Sequence, residues 1–288
     1  MDSKEYPSRY LHIAGAFGAG GTVYQVKGDP KSKPPVPDVD VYVQTPAIAA
    51  AHLPMAGGRT EAKAAKFRQD CQKVKFPDLP KPVLRKLKET ELIYVGSAYS
   101  LAHTEPEVAG KPIVSYTTSE VKSVRLAGGL SMRYGLLNMQ STHKPGELYP
   151  EITFGKTEIT GLKLGKSELK ITLDLDTFNR YPTQAAFIEA FQKNADVRAS
   201  LAARFLTDGD SLHKNQSGYV VGSLVKSIEG LPKDATLVGG YTILWPPVGR
   251  IVLGEVLISP YVRRVTLLRI KERCTEVGSG CSGGSTLP

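Results

Sequence analysis

Five runs between residues 91 and 175 decide the fold: ELIYVGSAYS (91–100), KPIVSYTTSEVKSVRL (111–126), LSMRYGLLNMQST (130–142), EITFG (151–155) and TEITGLKLGKSELKITLDL (157–175). Each is rich in Thr, Val, Ile and Tyr, and Gly, Pro or Lys turn residues separate one from the next. Apolar and polar residues alternate imperfectly, as they do in strands with one packed face and one wet face. Strand after strand with short turns and no intervening helix predicts a mainly β (α+β) chain. Its antiparallel sheets are expected in a sandwich or barrel-like arrangement.

Downstream the pattern changes and then returns. Pro182 and Thr183 open a helical insert near 182–206, with Phe187 and Phe191 one turn apart. Asn194 can cap a second helix carrying Asp196 early and Val197, Leu201 and Phe205 on one stripe, which predicts an αα-hairpin or a kinked pair. The runs GYVVGSLVKSIEGL (218–231), ATLVGGYTILW (235–245), VGRIVLGEVLI (248–258) and YVRRVTLLRIK (261–271) are β again. Ser119-Glu-Val-Lys-Ser-Val124 echoes Ser223-Leu-Val-Lys-Ser-Ile228, so two related β units flanking the insert are one possibility and chance is the other. The last residues, CTEVGSGCSGGSTLP (274–288), read as a flexible Gly/Ser tail. There Cys274 and Cys281 either close a small disulfide loop or stay free thiols; with Cys71 the cysteine count is odd and no metal-ligand spacing emerges.

Upstream, YLHIAGAF, GAGG and TVYQVK (10–27) read as a strand, a Gly-rich turn and a second strand. GDPKSKPPVPDV (28–39) is a Pro-rich connector and VDVYVQT (39–45) a further strand. Residues 60–75 read as a basic helix: Thr60 is the N-cap, Glu61 suits the first turn, and Ala64, Phe67, Cys71 and Val74 recur at steps of three and four. Pro77, Pro80 and Pro82 end it. The expected organisation is therefore a β hairpin and connector (1–58), a basic helix and Pro-rich segment (59–88), a β unit (89–181), the helical insert (182–206), a second β unit (207–273) and the tail (274–288). One domain can hold them all.

The chain has 288 residues and a net charge of +9, and the charge is concentrated. Residues 59–88 hold ten basic and three acidic side chains, leaving the rest of the chain near neutral at +2. A basic patch attracts phosphates, acidic glycans or an anionic membrane surface. Lys63, Lys66, Arg68, Lys73, Lys75, Arg85, Lys86 and Lys88 are the candidate anion-binding residues. Against that reading, lysines outnumber arginines and are the usual solvating choice. Only Phe67 and Phe76 are at hand in the segment for base stacking.

Familiar catalytic patterns each lack a residue or element that their chemistry needs. Gly15-Ala-Phe-Gly-Ala-Gly-Gly21-Thr22 has phosphate-loop spacing, but Gly21 stands where the lysine must be and a strand follows in place of a helix. Gly209-Asp210-Ser211-Leu212 spells an esterase signature whose D-x-x-H partner is the same stretch, Asp210 to His213. Gly280-Cys-Ser-Gly-Gly284 matches a nucleophile elbow without the flanking strand and helix. Asp174 and Asp176, with Thr177, resemble a phosphatase motif, but the threonine is one position early and the later acidic motif is missing, so capping of a strand end is the preferred reading. A hydrolase built on Ser211 and His213, or on Asp174 and Asp176, is thus an alternative to a non-catalytic protein. The five histidines show no metal-ligand spacing, and nothing calls for a cofactor.

VGRIVLGEVLISPYVRRVTLLRIK (248–271) resembles a stretch found in uncharacterised bacterial β-rich proteins, a resemblance that carries no known catalytic motif. No apolar run is long enough for a transmembrane helix and no signal peptide is visible, which makes the cytoplasm the default expectation. The leading expectation is a non-catalytic, β-rich structural or interaction protein. Its partner is itself or another protein through exposed β edges, or an anionic molecule at residues 59–88.

Overall fold

The computed structural model describes residues 10–26, 39–70, 91–208, 211–271 and 275–286. The first part of the chain forms β1 (Tyr10–Val26), β2 (Val39–Ile48), β3 (Ala51–His52), β4 (Arg59–Ala64), β5 (Phe67–Asp70), β6 (Glu91–Thr104), β7 (Ile113–Leu126), β8 (Leu130–His143), β9 (Glu151–Phe154), β10 (Glu158–Leu164) and β11 (Ser167–Leu173). Three helices follow: α1 (Leu175–Arg180), α2 (Gln184–Lys193) and α3 (Ala195–Ala202). The remainder is β12 (Thr207–Asp208), β13 (Ser211–Leu212), β14 (Val220–Ser223), β15 (Val225–Glu229), β16 (Thr236–Val238), β17 (Thr242–Trp245), β18 (Gly249–Ile258), β19 (Val262–Ile270) and β20 (Thr275–Thr286).

Two nine-stranded antiparallel sheets result. The first runs β16-β17-β18-β19-β20-β1-β2, with β14 also on β18 and β3 on β1; the second runs β15-β11-β10-β8-β7-β6-β4, with β9 on β8 and β5 on β6. They face each other as a sandwich, β1 and β20 lying over β6, β7 and β8. At one side the chain passes directly between the sheets. Leu224 forms the corner, its N–H donating to Gly254 O and its carbonyl accepting from Asp174 N–H. No barrel closes among the described residues. The echoed hexapeptides sit in unlike places, one within β7 and the other across this corner.

The helical insert follows its caps. Thr183 accepts from Ala186 N–H at 3.1 Å, and Asn194 from the N–H groups of Asp196 and Val197. Phe178, Phe187 and Phe205 pack ring on ring, with Phe154 from β9 edge-on to Phe178. Arg263 ties this insert to β19. It is buried and donates from Nη1 to Ile152 O and Phe178 O and from Nη2 to Tyr181 O. Burial pulls its pKa down to about 9, so at neutral pH it stays charged, against three carbonyl dipoles around the end of α1.

The glycine-rich ends depart from expectation. Residues 10–26 are one strand, not a hairpin with a turn at GAGG. The supposed tail is β20, paired on both sides, with β19 and with β1. Cys281 lies in this strand as a free thiol that burial pushes above its ordinary pKa. Cys71 and Cys274 lie outside the described residues.

Small side chains let these strands sit unusually close to the second sheet. Thr117 Oγ1 donates to Cys281 O at 2.8 Å and Ser119 Oγ to Phe17 O at 2.9 Å, so hydroxyls on one sheet bond the backbone of the other. Sheets that meet through ordinary side chains stand about 10 Å apart and cannot do this. A Cβ on Gly18 would lie 2.5 Å from that of Ala98.

The described part of the expected helix, residues 60–70, is likewise not helical, and residues 71–75 lie outside the described residues. Residues 59–64 and 67–70 are the strands β4 and β5, and both pair with β6. Arg59, Glu61 and Lys63 are exposed while Thr60, Ala62 and Ala64 are half-buried, a period of two.

Both sheets are creased along a line where the residue pairing skips. In the second sheet the skipped residues are Gly96, Ser123, Arg133 and Gly161 on β6, β7, β8 and β10. In the first they are Gly254, Leu267, Gly278 and Gly18 on β18, β19, β20 and β1. Leu267, fully buried, fills the space between the creases. Gly278 makes room for it: its φ is +62°, and a Cβ there would come within 2.7 Å of Leu267 Cδ1. Gly278→Val is expected to combine backbone strain with overpacking and cost about 3 kcal/mol. Thermal unfolding should show this as a fall of roughly 5–10 °C in Tm; an unchanged Tm would contradict the close packing at the crease.

Candidate functional site

The outer face of the second sheet collects cations and tyrosines from strands far apart in sequence. Register fixes their order. One row across the sheet is Arg68, Tyr94, Arg125, Ser131 and Lys163, on β5, β6, β7, β8 and β10. A second is Ser97, Lys122, Tyr134 and Thr160. A third is Lys63, Tyr99, Glu120 and Leu136. The guanidinium carbon of Arg125 lies 3.8 Å from the centre of the Tyr94 ring, Lys63 Nζ lies 5.5 Å from that of Tyr99, and Lys122 Nζ lies 5.8 Å from that of Tyr134. Such contacts are worth up to about 1 kcal/mol at exposed sites. Further along, His103 stacks on Tyr116.

The crease shapes this face. Where Gly96, Ser123, Arg133 and Gly161 interrupt the pleat, three shallow depressions follow one another across the strands. The one beside Tyr99 has a volume of about 590 Å³. Their walls carry six cations, Lys63, Lys122, Arg125, Arg133, Lys163 and Lys170, and two carboxylates, Glu120 and Glu168.

Most of these cations are steadied by a neighbouring carboxylate. Lys63 pairs with Glu61 at 2.6 Å, Lys122 with Glu120 at 2.7 Å, and Arg125 with Glu91 at 3.0 Å. The Glu61 carboxyl is held below its ordinary range by hydrogen bonds from Lys63 and then Arg59. Burial first, and the nearby Glu120 second, push the Tyr134 phenol up, so it stays neutral at physiological pH. Pairs this open to solvent contribute little to stability. A stronger anion can therefore replace the carboxylate at small cost.

Of the anion-binding residues expected from sequence, Lys63, Lys66 and Arg68 are exposed on or beside this face. Lys73, Lys75, Arg85, Lys86 and Lys88 lie outside the described residues. Sequence reasoning missed Tyr94, Tyr99, Lys122, Arg125, Arg133 and Tyr134. The alternation of charged and uncharged residues in Arg59-Thr-Glu-Ala-Lys-Ala64 was the signal that would have placed Lys63 on a strand next to them.

Of the proposed catalytic residues, Asp174 and Asp176 are held at the start of α1. Asp174 is the N-cap of α1, accepting from Thr177 N–H and Oγ1–H, and it pairs with the buried Arg204 at 2.6 Å. Asp176 follows in the first turn of that helix, so the two carboxylates do not share a strand face. Ser211 is exposed in the short β12–β13 hairpin, and the His213 backbone N–H donates to Leu206 O. Asp210 lies outside the described residues. The P-loop-like glycines are mid-strand in β1, and Ser282 of the elbow-like stretch is buried in β20. No group of three or more metal-ligating side chains converges among the described residues.

These features define a two-sheet antiparallel sandwich with a basic, tyrosine-bearing outer face. The chain belongs to a family described as a domain of unknown function (DUF8256), whose model matches residues 10–208 and 188–259. No curated protein and no solved structure matches it.

Asp174 gives a test of a structural against a catalytic role. Burial alone would raise its pKa, but the Thr177 hydrogen bonds and Arg204 together hold it below the ordinary 3.8. A lowered carboxyl pKa stabilises the fold above the ordinary value, and that contribution fades as pH falls through the lowered one. Asp174→Asn, which leaves Arg204 buried opposite a neutral group, is expected to cost about 3 kcal/mol at pH 7. The gap from wild type should shrink below about pH 4. Unfolding curves across pH check this; equal stability of the two proteins at pH 7 would refute it.

Proposed function

We propose that this protein is a non-catalytic binding protein whose working surface is the outer face of the second sheet and whose partner is anionic. The observation that carries this reading is the line of depressions walled by six cations and two carboxylates. The same face receives Lys63 and Arg68 from the basic segment. Rigid strands hold these side chains, which favours binding over solvation alone. Asp174 and Arg204, the buried ion pair beside α1, are occupied in holding the fold.

Retention on immobilised heparin tests it. The wild-type protein should bind at low salt, with log affinity falling linearly with log salt concentration. Lys122→Glu, Arg125→Glu and Arg133→Glu combined should elute at markedly lower salt while keeping the wild-type circular dichroism. Unchanged elution would remove this face from consideration.

A second surface favours association between copies. Leu206, Val238 and Leu244 line one depression together, and Leu237 is exposed on the same strand as Val238, the edge strand β16. Exposed apolar edges of this kind pair with other chains. Sedimentation should show concentration-dependent dimers that Val238→Lys abolishes; a strict monomer at high concentration would refute this.

A further inference from the structure

We infer that the anionic partner is single-stranded nucleic acid, lying across the strands of the second sheet with its bases against Tyr94, Tyr99 and Tyr134. This inference rests on the anion-binding reading of the same face and adds the chemical class of the partner.

The argument starts from the pairing of ring and cation. A surface built for charge alone needs only lysines and arginines. Here three tyrosines on β6 and β8 each carry a cation over one ring face, at 3.8, 5.5 and 5.8 Å. A nucleotide offers both complements in one unit, a flat base for the ring and a phosphate for the cation. An acidic glycan offers no flat aromatic surface, and inorganic polyphosphate offers charge only. Arg125 lies so close to Tyr94 that its flat guanidinium can itself accept a stacked base.

The geometry also favours one strand over two. In a duplex the bases already stack on one another and their faces are closed to tyrosine, whereas single strands present them. The depressions run from β4 to β11 across six strands, which at strand spacing is about 24 Å. That length suits the lower end of the roughly 4–16 nucleotides covered by single-strand-binding folds. Arg133, which makes no ion pair among the described residues, sits on the crease midway along this path. Glu61, Glu91 and Glu120 hold the cations in place until phosphates take over, at little cost because those pairs are exposed.

Fluorescence anisotropy with a labelled 12-nucleotide oligothymidylate tests the inference, beside a 12-base-pair duplex and inorganic polyphosphate as competitor. The wild-type protein is expected to bind the single strand at least tenfold more tightly than the duplex. Tyr94→Leu, Tyr99→Leu and Tyr134→Leu combined should weaken the oligonucleotide at least tenfold and leave polyphosphate unchanged. Should the triple variant fail to fold, Tyr134→Leu alone is expected to weaken the oligonucleotide about threefold or more. Equal affinity for single strand and duplex, or tyrosine variants with undiminished oligonucleotide binding, overturns the nucleic-acid inference while polyphosphate binding keeps the anion reading. Absence of binding to any of the three probes overturns both.

Discussion

The fold depends on how closely two sheets can approach. Along the middle of β1 and the last half of β20 the inward positions Ala14, Ala16, Gly18, Gly280 and Ser282 are small, and the facing positions of β6 and β7 are Ala98, Ser100, Ala102, Ser115, Thr117 and Ser119. With so little side-chain bulk between them, hydroxyls of one sheet reach backbone carbonyls of the other. Larger residues at these places would force the sheets apart and leave those carbonyls buried without donors. Elsewhere the core is filled conventionally, by residues such as Met132, Leu162, Ile251, Leu253 and Leu268.

This arrangement explains what could and could not be read in the sequence. The runs between 91 and 173 have local strand signals that agree with their final setting, and the caps at Thr183 and Asn194 act within a few residues of themselves. Both kinds of information are local. The terminal strand Thr275–Thr286 has the opposite character. Its Gly and Ser content gives weak strand propensity, and it becomes a central strand only because β19 and β1 supply partners on both edges. That stabilisation is tertiary and leaves no periodic trace. β1 was misread for the same reason.

Residues 60–70 differ from expectation for another reason. Ala64, Phe67, Cys71 and Val74 satisfy a helical spacing, while Arg59 to Ala64 satisfies a strand spacing, and the two patterns overlap. Pairing with β6 decides between them. That one misreading also hid the candidate site, since Lys63 meets the Tyr99 ring only when residue 63 lies on a strand directly beside residue 99. The aromatic partners that the basic segment lacks in sequence are supplied by its neighbour in space.

The binding face and the core are consequently two sides of one feature. Skipping a residue pair at Gly96, Ser123, Arg133 and Gly161 turns the second sheet inward around Leu267 and, on the opposite surface, breaks the pleat into depressions. Ser123 shows the coupling most directly, because it holds a φ of +56°, a costly conformation for a residue other than glycine. The surrounding pairing imposes that strain, and its effect on the surface is to set Lys122 and Arg125 on either side of a break in the sheet. Core packing thus fixes the spacing of the cations, and a change that relaxed the crease would flatten the face that carries them.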